Sequence, residues 1–179
     1  MSVFFFPDNT VLCNFAAVGR LDLLAGVLDG RGRWTAAVAY EASRSAHHHP
    51  TLADLPTAGW LGEPIEVTED ADIQQVNLVR RAVFGGTDDL PLKHLGEAET
   101  CHIILHWEQF NGSWWISDDR EALIYARGRG ITTRETLDMV AAATVAGAIT
   151  AQDGFDLLQK MVDADRHLRL PTRPSDLLL

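Results

Sequence analysis

Cysteine is nearly absent from the chain: 179 residues contain two, Cys13 and Cys101. They lie far apart and without the paired spacing of a thiolate metal site. A disulfide framework is thereby excluded, and the expectation is two buried thiols in a reducing cytoplasm. No apolar run approaches the roughly 20 residues that a membrane-spanning helix requires. The opening apolar run has no basic stretch before it and is too short for a signal peptide, so a cytoplasmic protein with no membrane partner is expected. Positive charge is scarce, with 15 Lys+Arg against 25 Asp+Glu and a formal net charge of −10. That balance argues against broad, non-specific attachment to nucleic acid. It leaves room for a nucleic-acid enzyme whose acids are gathered in a metal site. There is no internal repeat and no low-complexity linker, so a single domain is expected. The 46% hydrophobic and 22% charged residues are those of a globular chain.

The chain opens on Phe4-Phe5-Phe6-Pro7-Asp8, an apolar run that stops at an acid. A continuous apolar run suits a strand covered on both faces of a parallel sheet, and the acid then falls at the strand's carboxyl end. Helical spacing of Leu12, Phe15 and Ala16 predicts a helix over 10–18, closed by Gly19 and followed by a second over 20–28. Residues 34–38 read as a second strand and 39–46 as a helix, giving a βααβα opening. Residues 51–62 read as loop, 65–67 as a short strand and 70–84 as a helix. A helix entered at Leu95-Gly96-Glu97-Ala98-Glu99 is expected to reach about residue 110. Ser113-Trp114-Trp115-Ile116 repeats the opening pattern: an apolar strand, then Asp118-Asp119, then a helix over 119–127. Two further helices, 134–146 and 151–164, follow, the second with Thr150 as its N-cap. The tail ends in three leucines that could dock on the domain or on a partner.

Each acid has a plain structural explanation. Asp8 can cap the helix that follows it. Glu97 and Glu99 fall in the first turn of a helix, where carboxylates complement the dipole. His47, His48 and His49 point in different directions around the backbone and do not make one tetrahedral site. His102 and His106 read as packed or exposed side chains. Against these explanations stands a shared edge: Asp8 and Asp118 should both follow parallel strands, with Glu41 and Glu97 on neighbouring helices. Carboxylates converging there would repel one another and require hard cations such as Mg²⁺ or Mn²⁺, which activate water for phosphodiester hydrolysis.

Taken in order, Asp8-Asn9-Thr10-Val11-Leu12, Tyr40-Glu41, Gly96-Glu97-Ala98-Glu99 and Ile116-Ser117-Asp118-Asp119 resemble the four motifs of the PIN domain, the nuclease fold of VapC-type toxins. The likeness is to small members with a helical C-terminal extension. It implies a three-layer α/β/α fold with a central parallel sheet, comprising a nuclease core over 1–132, a helical pair over 133–165 and a tail over 166–179. It also implies Asp8, Glu41, Glu97 and Asp118 as catalytic, metal-binding acids. Asp119 is an alternative ligand, with Thr10 and Glu99 in support, Thr10 as a hydroxyl beside the metals. Asn9 and Thr10 would then cap the first helix while Asp8 faces the ions. Arg120, Arg80 and Arg81 are the basic candidates for holding the phosphate backbone. The chain departs from the family at Pro7, where an apolar strand residue is usual, and at His102 and His106.

The resemblance implies a Mg²⁺- or Mn²⁺-dependent endoribonuclease, the toxin of a toxin–antitoxin pair, with RNA as substrate, an antitoxin as a separate chain and a homodimer as its assembly. The alternative is a PIN-like binding or regulatory module without catalysis.

Overall fold

Phe5–Pro7 forms strand β1 in a computed structural model that describes residues 3–179. The chain then runs through helices α1 (Asn9–Ala17), α2 (Leu21–Leu28) and α3 (Ala36–Ser45). A 3₁₀ turn at Pro50–Asp54 leads into the short α4 (Leu55–Ala58), and α5 (Asp70–Ala82) and α6 (Leu95–His106) follow. Strand β2 (Trp114–Ile116), helix α7 (Arg120–Gly128) and strand β3 (Thr132–Arg134) complete the sheet. Helices α8 (Thr136–Val145) and α9 (Ala151–Asp163) end the regular structure, apart from a 3₁₀ turn at Pro174–Leu178.

The sheet is parallel, in the order β1-β2-β3, with Phe5 beside Trp114, Phe6 beside Trp115 and Pro7 beside Ile116. Side chains alternate between its faces. Phe5, Trp114 and Ile116 pack with α1, α2, α3, α8 and α9, whereas Phe6 and Trp115 pack with α6 and α7. Both faces are thus covered, giving three layers, α/β/α. That is why these strands read as unbroken apolar runs. Burying such side chains contributes on the order of 1.5–3 kcal/mol each.

Pro7 fits this sheet without loss. Phe5 exchanges both its backbone bonds with Arg31 and Arg33, on the side of β1 away from β2. Pro7, two residues on, turns its nitrogen to that same side. Asp8 N then donates to Ile116 O at 2.8 Å, so the pairing with β2 continues up to the acid.

Several local expectations are corrected. Residues 34–38 are not a strand: only Gly32 and Thr35 make isolated bridges, to Phe5 and Ile65. Thr35 instead caps α3, its Oγ1 accepting from Val38 N at 3.2 Å, so the helix starts at Ala36 and the opening is βααα. Residue 65 contributes one bridge and no strand. The 51–62 stretch holds a 3₁₀ turn and α4. Helix α6 ends at His106, before a separate 3₁₀ turn at Glu108–Phe110. Residues expected to open the helix at 134 belong to β3, and α8 starts at Thr136 with Glu135 and Asp138 as its capping box. Of the three terminal leucines, Leu177 is buried against the core while Leu178 and Leu179 are exposed.

Candidate functional site

Asp8 ends β1 and is buried, with 5% of its surface exposed. Its Oδ1 accepts from Asn9 N at 2.7 Å, and its Oδ2 accepts from Thr10 Oγ1 at 2.9 Å and Ser117 Oγ at 3.1 Å. Asp8 is therefore itself the N-cap of α1. The division of labour expected from the sequence, with Asn9 and Thr10 capping in its place, does not hold. Burial, and then the charge of Glu97, raise the Asp8 carboxyl to about 7, even though three donors favour the ionised form.

Glu41 projects from α3 toward the same region. Burial, followed by Asp8, Glu97 and Glu99, raises it to about 8, while the Gly96 backbone opposes the shift. Gly96 permits this approach: a β-carbon there would lie 3.0 Å from Val38 Cγ2 and 3.3 Å from Glu41 Oε1. The next residue, Glu97, pairs with His94 Nδ1 at 3.1 Å. Asp8, Glu41 and Glu97 thus form one mutually repelling group, contributed by β1, α3 and α6.

Glu99 is also buried. Its Oε2 accepts from Ala37 N at 3.2 Å, at the first turn of α3. Burial raises its carboxyl, and bonds from Thr35 and Ala37 oppose that. Glu99 therefore anchors the helix that carries Glu41, which is a supporting place and not a solvent-facing one.

Asp118 and Asp119 diverge. Asp119 is exposed and caps α7, its Oδ1 accepting from Ala122 N at 2.9 Å. Asp118 turns inward to a different set of partners. Its Oδ1 accepts from Thr136 N at 3.0 Å, and its Oδ2 from Thr136 Oγ1 at 2.5 Å and Asn14 Nδ2 at 2.8 Å. Burial raises it, those bonds lower it, and the acid whose charge acts on it is Glu135. Asp118 stands at the same sheet edge as the other three acids, outside their mutual repulsion.

Sequence reasoning missed Ser117, Asn14, Thr136 and Arg166. Asn14 is buried in α1 and also accepts from Arg166 Nε at 2.8 Å. Its one sequence signal was an amide between Cys13 and Phe15 on an otherwise apolar helix, since buried polar side chains are the informative exceptions. Ser117 joins the two strand ends, donating to Asp8 and accepting from Asp119 N at 3.2 Å.

The basic candidates also sort differently. Arg80 is 2% exposed and donates to the carbonyls of Thr87, Leu90 and Lys93. Burial removes it from a phosphate-binding role. Arg81 is exposed and pairs with Asp88 at 3.1 Å, and Arg120 lies exposed at the start of α7. The cations beside the acids are Arg44 and Lys93. They line a cleft of about 510 Å³ together with Tyr40, Glu41, Leu92 and Glu97.

Among the described residues, no group of three or more His, Cys, Asp or Glu side chains is arranged to hold a metal ion. The donor chemistry nevertheless fits hard divalent cations. Mg²⁺ commonly takes one or two carboxylates and completes its shell with water and substrate phosphate. The upward shifts of Asp8 and Glu41, each raised in part by the charge of Glu97, are also what a cation would relieve. One or two of Asp8, Glu41 and Glu97 could supply that carboxylate share, with water filling the rest of the shell.

A three-layer α/β/α protein with buried acids at the carboxyl edge of its sheet is the class that this geometry defines. The PIN domain family model matches residues 5–173, and the chain belongs to that family. PIN domains are generally nucleases and typically use divalent metals. Neither a curated protein nor a solved structure matches the chain. No helix among the described residues is long and apolar enough to cross a membrane.

Proposed function

We propose that this chain is a divalent-metal-dependent endoribonuclease of the PIN type that hydrolyses RNA phosphodiester bonds. The carrying observation is the mutual approach of three acids at the strand edge, Asp8 buried and Glu41 and Glu97 half-buried, beside a cleft with two cations. When bound, Mg²⁺ or Mn²⁺ supplies an activated water and neutralises charge on the leaving oxygen. Asp8, Glu41 and Glu97 would hold the ions, and Asp118, two residues beyond β2, completes the acidic set. Thr10 and Ser117 fix the Asp8 carboxylate, and Glu99 and Gly96 set the position of Glu41. Arg44 and Lys93 receive the phosphate backbone.

RNA cleavage with Mg²⁺ or Mn²⁺, by the wild type and by Asp8→Asn, tests this reading. Cleavage by the wild type alone is expected; equal cleavage by both removes Asp8 from the mechanism. Toxin activity in the cytoplasm, an antitoxin as a separate chain and a homodimer extend the proposal on the strength of family resemblance. Copurification of a small basic protein would support the antitoxin, and its basic character would suit a net charge of −10.

One observation favours a second reading, a PIN-like binding module without catalysis: both Asp118 oxygens are already occupied by protein donors. Calorimetric titration with Mn²⁺ separates the two. Binding at millimolar concentration or below supports the nuclease, and its absence supports the silent module.

A further inference from the structure

The cleft beside Glu41 and Glu97 has walls of a different character from those acids. Tyr40, adjacent to Glu41 on α3, is 45% exposed, and Leu90 and Leu92 in the same cleft are also exposed. Large apolar side chains left open on both walls of one cleft mark a binding surface. Arg44, one turn beyond Tyr40, and Lys93, next to Leu92, are exposed cations. Among the described residues neither makes an ion pair.

The wall carrying the leucines is held in place. Arg80 Nη1 donates to Thr87 O at 3.1 Å, Leu90 O at 3.3 Å and Lys93 O at 3.4 Å. A buried guanidinium tied to three carbonyls of one short segment fixes its path before any ligand arrives.

Resting on the nuclease reading above, we propose that this cleft is a base-binding subsite. An unpaired RNA base lies on the Tyr40 ring against Leu90 and Leu92, and the phosphates on either side of it fall on Arg44 and Lys93. A volume of about 510 Å³ lies within the roughly 300–1,000 Å³ usual for pockets that take small organic groups. The pairing of an aromatic face with free cations suits a nucleotide, whose base stacks and whose phosphate is anionic. A duplex cannot present such a base, because its bases stay stacked and paired. Tyr40 is then a specificity-determining residue for single-stranded RNA, and Arg80 is a positioning residue.

The test uses the full chain in EDTA, with single-stranded RNA carrying a central 2-aminopurine and a duplex of the same sequence. Wild type and Tyr40→Phe should quench the 2-aminopurine on binding. Tyr40→Leu should lose the quench and bind about ten-fold more weakly. Arg44→Ala and Lys93→Ala should keep the quench, bind more weakly and each reduce the salt slope by about 0.7. Undiminished quenching by Tyr40→Leu, duplex bound as tightly as single strand, or no RNA binding would each overturn the proposal. Cleavage is measured separately with Mg²⁺ or Mn²⁺. Quenching without cleavage keeps the subsite and removes the nuclease, whereas cleavage with an unchanged KM in Tyr40→Leu does the reverse.

Discussion

Gly96 lies so close to Glu41 that a β-carbon at position 96 would sit 3.3 Å from Glu41 Oε1. The glycine of the Gly-Glu pair is thus a spacer between α6 and α3. In Gly96→Ala, helix propensity gains roughly 1 kcal/mol while Glu41 or Val38 must shift by a few tenths of an ångström. The melting temperature should change little, and metal-dependent cleavage should fall roughly ten- to hundred-fold, because small misplacements at a reacting centre are costly. Cleavage unchanged alongside a large loss of stability would show that the spacing serves packing alone.

The metal-free protein should lose stability as pH rises. Asp8 and Glu41 have folded values of about 7 and about 8, against ordinary values of 3.8 and 4.5. The folded chain binds these protons more tightly than the unfolded chain. Their contribution is therefore fully present below about pH 4, declines as pH rises through 7 to 8, and levels off beyond. Melting in EDTA should show a lower Tm at pH 8.5 than at pH 5.5 from this contribution. Millimolar Mg²⁺ or Mn²⁺ should raise the Tm more at pH 8.5, since binding to the folded state alone stabilises it. Asp8→Asn should flatten the pH dependence.

Asn14→Leu removes the amide shared by Asp118 and Arg166. Leaving buried polar partners unmatched costs about 1–3 kcal/mol, which for a chain of this size is roughly 2–12 °C in Tm. Calorimetry checks the value. Thr136→Val should act in the same direction, through both Asp118 and Asn14.

Arg80→Met keeps an unbranched apolar stem but removes all three loop bonds. Segment 85–93 should become the first site of limited proteolysis, and the Tm should fall by several degrees, on the order of 1–3 kcal/mol. Arg81→Met, at an exposed pair worth about 0–1 kcal/mol, should leave both unchanged.

What the sequence disclosed and what it hid divide along the range of the interactions. The two strand-then-acid patterns, at Phe6 to Asp8 and Ile116 to Asp118, were legible because alternate residues serve two covered faces and charge is excluded until the strand stops. The Gly96-Glu97 pair was legible as a motif, though not as a spacer. Trp34 to Val38 misled because its composition suits a strand, while the Thr35 cap and the bond that the distant Glu99 accepts from Ala37 N favour a helix.

 The bond from Ala37 N to Glu99 joins positions 62 apart in the chain, and no local propensity records it. Arg80 was misread for the same reason: sequence displays a charge but not its burial. Arg44 and Lys93 were passed over because only the fold brings them to one cleft.

The partners of Asp118 come from three distant parts of the chain, Asn14, Thr136 and, through Asn14, Arg166. During synthesis all four motif acids leave the ribosome before Thr136 and Arg166 do. The fourth acid therefore gains its full set of supports only once the C-terminal helices have been made and have folded back. On the nuclease reading, a nascent chain carries its acids past ribosomal RNA while Asp118 still lacks those supports.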